Sequence, residues 1–231
     1  MNMINTVSGL LKNREETISR LLHREITGSE IGSMLMVSIS MFSVFGFLIG
    51  ASQGMQQALS SAVKLPLLFY FTSFICFPTL FFFLSFLGAR QDFRQLFSFI
   101  ILCNTYIAMV LAAFAPVTFF FLIAGYSYAL FKFINIIIFS IAGLTGIYLF
   151  YNEMKKIIND IDQEKPSHHK LRKGLLFLRG WSLLFGFIGL QLSFTLSPFF
   201  GLRGTPFMLL TDENANFFSN LMETIAQIFI K

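Results

Sequence analysis

The sequence predicts an all-α integral membrane protein with five transmembrane helices, the N-terminus inside and the C-terminus outside, and an amphipathic helix at each end. Three observations carry that prediction. The 231 residues are 55% hydrophobic and only 13% charged, with a mean hydropathy of +0.70, whereas a soluble domain of this size needs far more surface charge. Five apolar runs reach the roughly 20 residues that a hydrocarbon core about 30 Å thick requires. Basic residues are shared very unequally between the two sides that five crossings define.

The spans are expected at about 31–51, 65–88, 96–124, 131–151 and 175–200. They divide the chain into a cytoplasmic segment (1–30), a membrane domain (31–200) and an outer turn with an interfacial helix (201–231). The first run starts only near Ile31, after a charged stretch from Lys12 to Glu30, which is unlike a signal peptide, so that span is read as permanent. Runs of twenty apolar residues also exclude the alternating strands of a membrane β-barrel. Pro116 lies inside the third run, where it either kinks one helix or breaks it in two.

Orientation follows from the cations. Thirteen of the 17 basic residues fall in the N-terminal segment, the 90–94 connection and the 155–179 region. Lys64, Lys132, Arg203 and Lys231 are left for the other side. The positive side is the cytoplasmic one, where anionic headgroups meet the net charge of +5 and no nucleic acid is implied. The chemistry reads as a multi-pass membrane protein in contact with membrane lipids.

At the N-terminus, Ile4, Val7, Leu10, Leu11, Ile18, Leu21, Leu22 and Ile26 recur at helical steps among charges, an amphipathic helix that would lie in the interface or dock on a partner, with Gly28 ending it. Near the C-terminus, Phe217, Phe218, Leu221, Met222, Ile225, Ile228 and Phe229 repeat the pattern. Between spans four and five, 152–173 mixes both signs of charge and reads as a solvated helix and turn. His168 and His169 are adjacent and have no third ligand at metal spacing.

Within the spans the informative residues are small or amidic. Gly46, Gly50 and Gly54 recur every four residues on one helix face, which allows close backbone approach, either inside the chain or between subunits. Asn104, Asn135 and Gln191 can bond between helices. The stretch GASQGMQQALSSAVKLP, residues 50–66, reads as the outer connection between spans one and two, with Pro66 opening the second and with Gln53, Gln56 and Gln57 as candidate contacts. Catalytic signals are poor. No phosphate loop, nucleophile elbow or intramembrane carboxylate pair is present, and Ser60 and Ser61 beside Lys64 form only a weak dyad pattern. Cys76 and Cys103 fall inside spans and read as buried small hydrophobes. No enzyme, cofactor or metal is expected.

The runs Gly50–Phe83, APVTFFF (Ala115–Phe121), Phe131–Gly146 and QLSFTLSPFFGLRGTPF (Gln191–Phe207) resemble an uncharacterised family of small bacterial multi-span membrane proteins, common in cyanobacteria. Its members often carry an automatic label for an actin-binding Wiskott-Aldrich homology-two domain. The segment behind such a label is Ala58-Leu-Ser-Ser-Ala-Val-Lys64, which lacks the paired lysines of that motif and faces away from the cytosol, so actin binding is not expected. Where that family carries Trp-x-Leu-Arg-Pro, this chain has Phe194-Thr-Leu-Ser-Pro198, without the arginine on which an anion-binding turn would rest. The architecture also resembles the Yip (Ypt-interacting protein) family, which implies a membrane scaffold or adaptor. The expected function is therefore a non-enzymatic subunit that scaffolds, anchors or caps a membrane assembly, with a membrane protein partner or a second copy of itself. A channel or lipid-handling protein is the alternative, motivated by Pro78, Pro116 and the phenylalanine runs 81–83 and 119–121.

Overall fold

A computed structural model describes residues 12, 14–22, 25–87, 92–125, 127–164 and 168–199. Among them every regular element is an α-helix: α1 (Arg14–Leu22), α2 (Gly28–Gly50), α3 (Met55–Leu87), α4 (Phe93–Ile123), α5 (Tyr128–Glu164) and α6 (His168–Thr195). Helices α2 to α6 provide five segments long and apolar enough to cross a membrane, at Gly28–Gly50, Met55–Phe86, Phe93–Ile123, Tyr128–Lys156 and Lys173–Thr195.

The α2 helix starts where its cap dictates. Thr27 is extended and precedes the first helical residue, and the Glu30 carboxylate accepts from both the Thr27 N–H and its hydroxyl at 2.8 Å. That is the reciprocal half of a capping box. Gly28 therefore opens a span; it does not close the preceding amphipathic segment. Of that segment, α1 lies in the described residues, and its Ile18 is 4% exposed within the main hydrophobic core. The helix docks on its own bundle, against α4. Arg20 donates to Glu30 at 2.9 Å and ties α1 to the start of α2. The Glu30 carboxylate holds the Arg20 guanidinium above its ordinary pKa, through the hydrogen bond first and the charge second. The amphipathic helix read at 217–229 lies outside the described residues.

Helices α2 and α3 form a tight hairpin whose turn is only residues 51–54. The second span thus begins ten residues earlier than the expected start at 65, and most of the amide-rich stretch is helix. Glutamine is a good helix former and serine a tolerable one, so polarity marked an interfacial helical turn and not a loop. Pro66 consequently sits inside α3, as does Pro78, and Pro116 sits inside a continuous α4. Each removes one donor from its helix and leaves the helix unbroken. Likewise, α5 runs on to Glu164, and Glu30 and Glu153 fall just inside the ends of the first and fourth spans. Both carboxylates are paired: Glu153 is 3% exposed and meets the Lys156 ammonium at 3.0 Å.

The bundle is centred on α4. Its run from Gln95 to Thr105 is buried apart from Phe97. Two clusters fill the interior. One holds Leu80, Leu84, Leu96, Phe99, Leu102, Met154, Leu178 and Trp181 toward the end where α1 docks. The other holds Phe42, Phe45, Ile49, Leu65, Leu111, Ile138 and Phe199 toward the α2–α3 turn. Phenylalanine supplies shape at both: Phe42 stacks on Phe69 with centroids 4.4 Å apart, and Phe150 stacks on Trp181 at 4.5 Å. Outward-facing Phe74, Phe82, Phe86 and Leu183 are more than two-thirds exposed, as helices surrounded by hydrocarbon should be.

Candidate functional site

At the hairpin end, Gln57, Ser61 and Lys64 lie three and four residues apart and share one face of α3. All three are buried, with Lys64 only 5% exposed. Gln57 donates its amide to the Pro198 carbonyl and, at 3.3 Å, to Ser61. The Ser61 hydroxyl donates to the Phe199 carbonyl at 2.8 Å, and the Lys64 ammonium to the Pro198 carbonyl at 3.3 Å. Three side chains of one helix thereby hold the stretch of backbone that follows α6. Carbonyls beyond a helix end have no intrahelical donor, and at membrane depth they require one.

This face of α3 is positioned by glycine. A methyl group added at Gly46 would stand 2.9 Å from the Ser61 carbonyl carbon, and one at Gly50 would stand 2.8 Å from the Ala58 Cα. Both distances are closer than real carbon contacts allow, so α2 and α3 touch backbone to backbone at Gln57–Ala58 and Ser61–Ala62. Gly54, the third glycine of the repeat, lies in open space beside the turn. The glycine face therefore divides: two members pack inside the chain and one does not.

The remaining candidates separate in the same way. Asn104 donates to Ser73 at 2.9 Å, joining α4 to α3, and Asn135 accepts from Thr118 at 2.9 Å, joining α5 to α4. Gln53 is half-buried beside the turn, whereas Gln56 and Gln191 are exposed on α3 and α6. Ser38 and Tyr70 bond at 2.5 Å between α2 and α3, and Trp181 donates to the Cys76 carbonyl at 3.1 Å between α6 and α3. Sequence reasoning missed Ser61 and Lys64 as members of the knot, although the 57, 61, 64 spacing on a helix was a usable signal. Backbone acceptors such as the Cys76, Pro198 and Phe199 carbonyls have no signature in sequence.

The arrangement does little that resembles nucleophilic catalysis. The Ser61 hydroxyl donates to a backbone carbonyl, and the Lys64 ammonium donates to another. Among the described residues no group of three or more His, Cys, Asp or Glu side chains could hold a metal ion. Cys76 and Cys103 are buried and not joined in a disulfide. No family model, no curated protein and no solved structure matches the chain.

Proposed function

We propose that this protein is a non-enzymatic subunit of a bacterial inner membrane, oriented N-in and C-out, that scaffolds, anchors or caps a larger membrane assembly. The observation that carries this reading is the way the polar groups of the spans are used. Tyr70, Ser73, Asn104, Asn135 and Trp181 bond from helix to helix and so fix the relative positions of α2 to α6. A rigid frame with its polarity turned inward suits a protein that presents a surface.

The surface best suited to a partner is the outer face of α6. Leu183 is 76% exposed and Leu176 69%, Gly180 has open space above it, and the Gln191 amide is exposed near the helix end. An amide facing hydrocarbon gains from a protein donor or acceptor, and an open glycine lets another helix approach. Gln56 and Gly54 extend the same logic at the hairpin turn, where Gly46 and Gly50 are already occupied by α3. The partner is another membrane protein or a second copy; neither nucleic acid nor actin is invoked. The charge asymmetry supports the orientation, and the resemblance to Yip-type architecture points to a scaffold as well. Lipid handling is the second reading, favoured by a small apolar crevice lined from α3, α4, α5 and α6.

Affinity purification of the tagged full chain from native membranes in mild detergent tests the proposal. A stoichiometric membrane partner or a defined homo-oligomer is expected, with a Gln191→Cys variant cross-linking to it. A monodisperse monomer that yields no cross-link from Gln191→Cys in native membranes sinks the reading.

A further inference from the structure

We propose that Arg179, Tyr151 and Lys155, in the seam between α5 and α6, form a binding site for the phosphate of an anionic bilayer phospholipid. The inference requires only that these two helices span a bilayer, and it stands whether or not the protein is a scaffold.

Arg179 is an exposed cation inside an apolar span. It lies about 9 Å along α6 from Lys173, where the fifth span starts. Tyr151 lies about 8 Å along α5 from Lys156, where the fourth span ends. These are the joined ends of the two helices, and the depths agree. The fourth span has 29 residues, about 44 Å of helix, which matches a bilayer together with its headgroup layers. A level about 8 Å inside its end is therefore the boundary between headgroups and hydrocarbon.

At that level the Arg179 Nε–H donates to the Tyr151 hydroxyl at 3.3 Å, which holds the guanidinium against α5. The N–H groups on both Nη atoms are left to bind another acceptor, and the phenol keeps its own O–H to donate. Lys155 is exposed one helical turn from Tyr151, on the same face of α5. Lys156 is neutralised by Glu153 at 3.0 Å, but among the described residues neither Arg179 nor Lys155 meets a carboxylate. An unpaired guanidinium at the edge of hydrocarbon is costly, and the anion at hand there is a lipid phosphate. Its oxygens fit the guanidinium fork, with the Lys155 ammonium adding charge. A zwitterionic headgroup would bring a third cation to the two already present, and an anionic one does not. Tyr148, 66% exposed and one turn deeper on α5, offers an apolar ring to the chains of the same lipid, which a free phosphate would not use.

Native mass spectrometry of the full chain in mild detergent tests the site, with phosphatidylglycerol and phosphatidylcholine of identical acyl chains titrated separately. The wild type is expected to bind one phosphatidylglycerol about tenfold more tightly than phosphatidylcholine, and Arg179→Gln to abolish that preference. Arg179→Lys keeps the charge without the fork, and Tyr151→Phe removes the hydroxyl; each should weaken phosphatidylglycerol about threefold. Lys173→Gln removes an equal charge six positions from Arg179, on another side of α6, and should change the affinity by less than about twofold. Equal affinity of the wild type for the two lipids overturns the proposal and needs no variant. Equal losses in Arg179→Gln and Lys173→Gln also overturn it, because the attraction is then diffuse. Displacement of the lipid by excess inorganic phosphate would make the seam a site for a free anion and overturns the lipid assignment. Should Arg179→Gln fail to fold, an unchanged preference in both Arg179→Lys and Tyr151→Phe overturns it as well.

Discussion

The Gln57 side chain on α3 donates to the backbone carbonyl of Pro198, across 141 positions of sequence. That bond, with those from Ser61 and Lys64, makes the hairpin end a clasp on the chain that leaves α6. Its strength comes from where it lies: a carbonyl without a donor at the edge of hydrocarbon has no better alternative.

Gln57→Leu should therefore loosen the Pro198–Phe199 stretch. The variant keeps the volume and removes one of the two donors to the Pro198 carbonyl, with Lys64 left as the other, so the expected cost is about 0.5–1.5 kcal/mol, that of one net hydrogen bond. Hydrogen exchange across 194–200 in detergent should rise, while exchange in the Gln95–Thr105 core of α4 stays unchanged. Equal protection of 194–200 in the two proteins would show that the clasp is dispensable.

The glycines make a graded prediction. Gly50→Ala drives a methyl group into the Ala58 backbone, where no flexible side chain can move aside. Overpacking of this kind costs about 1–3 kcal/mol, and more where only backbone can yield. Gly54→Ala meets open space and should be neutral within about 0.5 kcal/mol. Thermal inactivation followed by size-exclusion chromatography distinguishes the two; equal midpoints for Gly50→Ala and Gly54→Ala would refute the close α2–α3 approach.

Asn104 and Ser73 should behave as a coupled pair. Each single alanine variant removes the same interhelical bond, worth roughly 0.6 kcal/mol on average in membrane proteins, and the double variant should cost less than the two singles together by about that amount. Strict additivity in the cycle would mean that the bond contributes nothing.

Length and hydropathy made the five spans readable, because a hydrocarbon thickness imposes a minimum apolar run regardless of how helices pack. The start of α3 was misread because hydropathy reports polarity and not backbone conformation, and Gln56, Gln57, Ser60 and Ser61 are compatible with a helix reaching the interface. Gly46 and Gly50 were identified by their spacing, but spacing alone left open whether α3 or another subunit lay against them; the neighbouring Ser61 and Ala58 backbone decides this. Asn104 was recognisable as a helix-to-helix donor, yet its acceptor Ser73 was not, since serine in a span commonly bonds its own helix, as Ser73 also does to Phe69. The docking of α1 through Ile18 depends on tertiary contact and has no sequence signature beyond amphipathicity.

The Arg20–Glu30 bridge makes α1 the element most sensitive to ionic strength. The pair is partly exposed, with side-chain exposures of 39% and 17%, so it is expected to contribute no more than about 1 kcal/mol and to weaken as salt rises. Glu30→Gln removes the charge on the bridge and weakens the acceptor that caps α2 at Thr27, whereas Arg20→Gln removes the bridge and leaves the cap intact. Limited proteolysis of residues 12–27 should therefore accelerate in both variants, and more in Glu30→Gln. High salt should accelerate cleavage of the wild type toward the Arg20→Gln rate and leave Arg20→Gln itself nearly unchanged. If salt speeds cleavage of all three proteins equally, the bridge is not what holds α1, and the burial of Ile18 alone accounts for its docking.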